Sequence, residues 1–192
     1  MSKESFIMKK NKRYAIVLDT RKCIDCKACT VACKAENDVP LGRNNYRNWV
    51  DDGELRGAYP NLGQSFTPSQ CQHCGNPPCA HVCPTRATEV SEDGIVHVVA
   101  KKCIGCKYCQ TACPYNARYY NEEIGAVDKC TFCAHRVYTG RLPACVETCP
   151  TKVRTFGDLN DPDSEVSRLL AKNPSRVLKK SQGSKPFLFY LI

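Results

Sequence analysis

The chain has 192 residues, of which 16 are cysteine, while Leu, Ile, Val and Phe together supply only 39. That share, about 20%, is at the edge of what builds an apolar core, so metal or disulfides must help to hold the chain together. The charge is +9, no run approaches the roughly 18 apolar residues of a membrane span, and the Lys-rich start lacks the apolar stretch of a secretory signal.

In chain order, Tyr14–Leu18 predicts a strand leading into the first of four cysteine groups. That group is Cys23, Cys26, Cys29 and Cys33, spaced C-x2-C-x2-C-x3-C, with a short helix expected after Cys29. Residues 38–70 hold no cysteine but contain Tyr46, Trp49, Tyr59 and Phe66. They read either as a surface loop padding the molecule or as an arm for docking on a partner. The second group is Cys71, Cys74, Cys79 and Cys83. Residues 88–90, a Gly-containing turn at 91–94 and residues 95–99 predict a hairpin. The third group, Cys103, Cys106, Cys109 and Cys113, repeats the first spacing and predicts another short helix after Cys109. Residues 118–120 and 126–129 form a counterpart hairpin. The fourth group, Cys130, Cys133, Cys145 and Cys149, has its middle gap stretched to eleven residues. Residues 153–156 read as a strand. Residues 164–172 read as a helix capped by Ser164 and stopped by Asn173 and Pro174. The tail 181–192 is either a packed strand or a partner contact.

The C-x2-C-x2-C-x3-C-P run is the bacterial ferredoxin pattern for a 4Fe–4S cluster. Two-residue gaps wrap three thiolates around three corners of a cubane, and the fourth cysteine leads away to a second cluster. Proline after that cysteine fixes the departure in three groups (Pro84, Pro114, Pro150), whereas Lys34 follows Cys33. Zinc takes four ligands from two separated pairs and has no use for a third cysteine two residues on. Disulfides need an oxidising context, and Cys26 and Cys29 crowd one loop too tightly for independent bridges. Spacing leaves open whether one cluster holds three irons in place of four. Four cubanes account for all sixteen thiols. With about −2 on each oxidised cluster they bring the +9 chain close to neutrality, which removes the argument for nucleic-acid binding.

Residues 22–33 and 102–113 match at eight positions, and CAHVCPT (79–85) is echoed by CVETCPT (145–151). The chain therefore reads as two ferredoxin units made by duplication, an α+β fold with little regular secondary structure. The outer unit spans 12–63 and 127–160, with 38–70 as its docking loop. The inner unit, 64–126, is inserted in it, and 161–192 add a helix and an extended tail. Following the two-cluster pattern, Cys23, Cys26, Cys29 and Cys149 hold one cluster, and Cys33, Cys130, Cys133 and Cys145 a second. Cys71, Cys74, Cys79 and Cys113 hold a third, and Cys83, Cys103, Cys106 and Cys109 a fourth. His73, His81, His97 and His135 are surplus to this ligand set and read as polar neighbours. Lys27 and Lys107, inside ligand loops, read either as tuning charges or as solvated lysines. No nucleophile–base pair, phosphate loop or paired carboxylates stand out.

The cysteine order, with QCQHCGNPPCAHVCPT (70–85), KKCIGCKYCQTACPYNARY (101–119), KCTFCAHR (129–136) and PACVETCPTKVRTFGDL (143–159), resembles the four-cluster iron–sulfur subunit of the dimethyl-sulfoxide-reductase molybdoenzyme family. The likeness covers nearly the whole chain and is greatest to the polysulfide reductase branch. It implies an electron-transfer subunit, not an enzyme alone, set between a molybdopterin catalytic subunit and an integral membrane quinone-binding subunit. The implied process is anaerobic respiratory reduction of polysulfide, thiosulfate or tetrathionate. Arsenate, dimethyl sulfoxide, nitrite and formate systems use equivalent subunits, and a free polyferredoxin carrier is the competing reading. The cluster on Cys23, Cys26 and Cys29 is implied at the molybdenum end, and that on Cys103, Cys106 and Cys109, kept complete by Cys106, at the membrane end. Anchoring is expected through a partner only, at the periplasmic face by co-export with a signal-bearing subunit, or else at the cytoplasmic face.

Overall fold

The computed structural model describes residues 12–192, in short elements joined by long irregular stretches. The first half holds β1 (Tyr14–Leu18), α1 (Ala28–Glu36), β2 (Asn48–Asp52), β3 (Arg56–Ala58), β4 (Asn61–Gly63), β5 (Phe66–Gln70), α2 (Pro78–His81), β6 (Thr88–Val90) and β7 (Val96–Val98). The second half holds α3 (Tyr108–Thr111), β8 (Tyr119–Asn121), β9 (Ala126–Asp128), α4 (Ala134–Val137), α5 (Ala144–Glu147), β10 (Arg154–Asp158), α6 (Glu165–Lys172), β11 (Ser175–Arg176) and β12 (Leu188–Leu191). The fold is α+β.

β1 is the spine. It lies in a four-stranded sheet of order β10-β1-β12-β11, antiparallel to β10 (Leu18 opposite Arg154) and parallel to β12 (Leu18 opposite Tyr190). Because side chains alternate across a strand, Ile16 and Leu18 join the core of Cys71, Cys74, Cys130 and Phe132, while Ala15 and Val17 join Val166 and Leu191. β1 is thus buried on both faces, one towards thiols and one towards α6. The tail supplies a packed strand, as one of its two readings expected. α6 begins where expected, with the Ser164 hydroxyl accepting from the Ser167 N–H at 3.2 Å. It ends before Pro174, which disfavours helix at the preceding Asn173.

The hairpins are β6–β7 (Thr88 opposite Val98) and β8–β9 (Tyr119 opposite Asp128), each within a residue or two of expectation. The helices start earlier than expected. Cys29 and Cys109 lie inside α1 and α3, not before them. α1 runs nine residues, through Cys33, whereas α2, α3 and α5 have four residues each and stop just short of the fourth cysteine. The physical reason is the residue after that cysteine: proline disfavours helical backbone at the residue before it, and Lys34 does not.

Residues 38–70 are more ordered than a padding loop. β2 pairs with β5 from Asn48 opposite Gln70 to Asp52 opposite Phe66, and β3–β4 form an exposed tip. Val50 and Phe66 pack on Cys29 and Cys145, so the hairpin walls off two of the thiol groups.

Candidate metal centres

Local backbone geometry explains how the ligand loops curl. Asp25 and Lys27 in the first loop, and Gly105 and Lys107 at the same places in the third, all have φ between 55° and 70°. Such left-handed residues alternate with ordinary ones and turn successive N–H groups to the inside of the loop, where they favour anions. A second repeated device follows the departing cysteines. Arg86, Asn116 and Lys152, each three residues beyond, are left-handed with φ of 50° to 53°. One residue later the Ala87 and Val153 N–H groups donate to the Cys83 and Cys149 sulfurs at 3.2 and 3.3 Å.

The structure brings together the quartets expected from the interleaved pattern. Cys23, Cys26, Cys29 and Cys149 line one cavity, with Val50 and Arg154. Cys33, Cys130, Cys133 and Cys145 line a second, with Asn37 and Gln70. Cys83, Cys103, Cys106 and Cys109 line a third, with Ile104 and Val127. Cys74 interacts electrostatically with Cys71, Cys79 and Cys113, which gathers the remaining four. A broader, solvent-open groove lies beside Trp49 and Tyr115 and has no cysteine in its wall.

The donor set fits a multi-iron core. Burial and then neighbouring thiols push Cys33 and Cys74 up to about 12, and burial pushes Cys145 up to about 11. Burial raises Cys130 as well. A cationic iron–sulfur core favours the ionised form of such thiols and offsets both their burial and their mutual repulsion. At Cys83 burial also raises the thiol, but hydrogen bonds from Thr88, Thr85 and Ala87 outweigh it, and the net shift is downward. Among the described residues no group of three or more Cys, His, Asp or Glu is gathered tightly enough for a single metal ion. Four thiols set about a cavity suit a cubane, in which each iron takes one thiolate.

The polar surroundings were less visible in sequence. Asn37 Nδ2 lies 3.7 Å from both the Cys33 and Cys133 sulfurs, and its Oδ1 accepts from Arg47, itself paired with Asp128. Gln70 Nε2 donates to the Cys130 sulfur at 3.7 Å, and Arg154 Nη2 to the Cys29 sulfur at 3.8 Å. Arg118 is buried beside Cys79, Cys71 and Cys109. One signal pointed to the two arginines: each stands five residues beyond its departing cysteine, in the repeated C-P-x-x-x-R of 113–118 and 149–154. Lys27 pairs with Asp25 and Asp52, and Lys107 sits over the Tyr120 ring. Three of the four histidines have partners other than sulfur. His73 is buried, stacked on Phe132, and accepts from the Val96 N–H; burial holds its pKa well below the usual value, so it is neutral. His135 pairs with Glu36 and His97 with Glu89.

Residues 62–159 match a family model described as a 4Fe-4S dicluster domain, and residues 22–87 match a second model of the same description. The chain belongs to the 4Fe–4S dicluster family. It is 46% identical over 182 residues to a tetrathionate reductase subunit of Salmonella typhimurium, covering 93% of this chain and 72% of that one. It is 44% identical over 179 residues to a polysulfide reductase chain of Wolinella succinogenes, covering 93% of each. A selenate reductase subunit of Mesobacillus selenatarsenatis is 39% identical over 212 residues, covering 93% and 72%. The chain is an iron–sulfur electron-transfer subunit of this class, not an enzyme by itself. Two dicluster matches and sixteen cysteines support four 4Fe–4S clusters.

Proposed function

We propose that the chain conducts electrons in single file through four 4Fe–4S clusters, between a membrane quinone-reactive subunit and a molybdopterin catalytic subunit. The four quartets described above are its ligand sets. When bound, a 4Fe–4S cluster exchanges one electron, at a potential set by charge, hydrogen bonds to sulfur and exposure. The chain's own part is to hold, order and insulate. Cys29 packs near Cys145, Cys130 near Cys71, and Cys79 near Cys109, so the quartets follow one another in a line.

The observation that carries this reading is at the two ends of that line. Cys26 and Cys106 are exposed, while every other cysteine is buried or half-buried. Each sits beside an exposed isoleucine, Ile24 and Ile104. An apolar knob over a thin-walled end suits a partner that seals out water. The Cys26 end faces the catalytic subunit and the Cys106 end the membrane subunit. The substrate is a sulfur compound such as tetrathionate or polysulfide, a reading supported by the similarity to subunits of those reductases. The place of work is the periplasmic face of the cytoplasmic membrane, reached by co-export with a signal-bearing partner.

Anaerobic isolation from the native membrane tests this. The expected sample is brown, holds about sixteen irons per chain (four per cubane), and brings with it a molybdenum-containing chain and a quinone-reactive chain. Iron near half that number ends the four-cluster reading. Purification as a lone, exchangeable protein favours a free polyferredoxin.

A further inference from the structure

Between the first two quartets lies a polar connection that ligand spacing does not require. Arg154, 3% exposed, reaches the Cys29 sulfur with Nη2 at 3.8 Å and donates from Nη1 to Gln70 Oε1. Gln70, 0% exposed, donates from Nε2 to the Cys130 sulfur at 3.7 Å. Because Arg154 occupies the carbonyl end of the Gln70 amide, the N–H end must face Cys130. The path therefore runs from a sulfur of one quartet, through a fixed guanidinium and a fixed amide, to a sulfur of the next. The inner unit differs. Arg118, the equivalent of Arg154 in the C-P-x-x-x-R repeat, donates to the Thr88 hydroxyl at 3.2 Å, and the neighbouring amide, Gln110, donates to the Arg118 backbone carbonyl at 3.3 Å and not to a sulfur.

We infer that Arg154 and Gln70 form a positioning pair that sets the reduction potentials of the two flanking clusters together. The inference rests on the ligand sets proposed above. Reduction adds one negative charge to a cluster. A permanently charged guanidinium and an N–H dipole aimed at its sulfurs favour that state, and they act strongly where water is excluded. One cation shared by two clusters raises both potentials in step, so the driving force for the electron at this junction is left nearly unchanged while both clusters become easier to reduce.

The test is EPR-monitored potentiometry of the anaerobically isolated full-length protein with its clusters loaded, read as four one-electron steps. Arg154→Gln removes the charge. Gln70→Glu keeps the shape, but removes the donor at Cys130 and neutralises Arg154. Each is expected to make reduction less favourable at the same two steps by about tenfold or more in equilibrium constant, which is about 59 mV per one-electron step, and to leave the other two in place. Arg118→Gln is expected to move the other two instead. Iron of about sixteen per chain with all four steps unmoved in both variants overturns the inference and leaves the cluster count standing. A wild-type count near eight overturns the cluster reading instead. If neither variant keeps its iron, the pair is a folding element and the inference fails.

Discussion

On the ligand sets proposed above, Cys106 and Cys130 do the same chemistry in opposite surroundings, and their replacement should differ accordingly. Cys106 is exposed at one end of the line, whereas Cys130 is 7% exposed and packed among Cys71, Phe132 and Ile16. Cys106→Ser should damage one cluster and spare three. Iron is then expected to fall by one to four of about sixteen per chain, with most of the brown absorbance kept. Cys130→Ser removes a thiol from the buried centre of the molecule, and soluble brown protein is expected to be lost almost entirely. Retention of three full clusters in Cys130→Ser would show that the centre of the molecule tolerates loss of metal. The four cysteine groups were legible because cubane geometry favours short, regular gaps between thiolates, and the interleaved quartets proposed as ligand sets follow the two-cluster pattern. Asn37, Gln70 and Arg154 were not. They act across the fold, Gln70 and Arg154 over 84 positions of sequence, and nothing local marks them except the repeated arginine.

Elements became legible in proportion to how far local chemistry decides them. β1, β6–β7 and α6 carry a short apolar β-branched run, a glycine turn and a serine cap, and these are found in place. The β2–β5 hairpin carries Asp51, Asp52 and Pro68, poor strand formers all. It forms because Asp51 accepts from Trp49 Nε1 and Ser69 Oγ, and because Val50 and Phe66 find Cys29 and Cys145 to cover. That is tertiary context overriding propensity. Gly157 gives a test of the packing between β10 and α6. A Cβ there would come within 2.4 Å of the Val166 Cγ2, and Val166 is fully buried. Gly157→Ala is expected to destabilise the protein by about 1–3 kcal/mol through overpacking. The temperature at which the visible absorbance is lost should drop by roughly 2–4 °C for each kcal/mol. An unchanged transition would mean that α6 shifts freely and does not brace the sheet.

For the whole molecule the decisive relation is between thiols and hydrocarbon. Among the described residues, three of the four apolar clusters of the core contain cysteines as buried members. The fourth, Ala15, Val17, Val166 and Leu191, has no cysteine but is small, and β1 supplies half of it. The opposite face of β1, through Ile16 and Leu18, rests on Cys71, Cys74 and Cys130. Without metal those thiols lose their common anchor, and β1 loses one of its two floors. The quartets also join distant parts of the sequence, Cys23 to Cys149 and Cys33 to Cys130, so each cluster closes a long loop whose closure entropy the remaining apolar contacts must otherwise offset. Removing iron with a chelator under reducing, oxygen-free conditions is therefore expected to unfold the protein as one unit. Amide hydrogen exchange is the measurement that separates the alternatives. Cooperative loss predicts that protection in β1, β10 and β12 disappears together with that in the ligand loops. Persistent protection of the sheet and α6 after all iron has gone would mean that the Val166 core stands alone, and that the clusters are passengers on an independent scaffold.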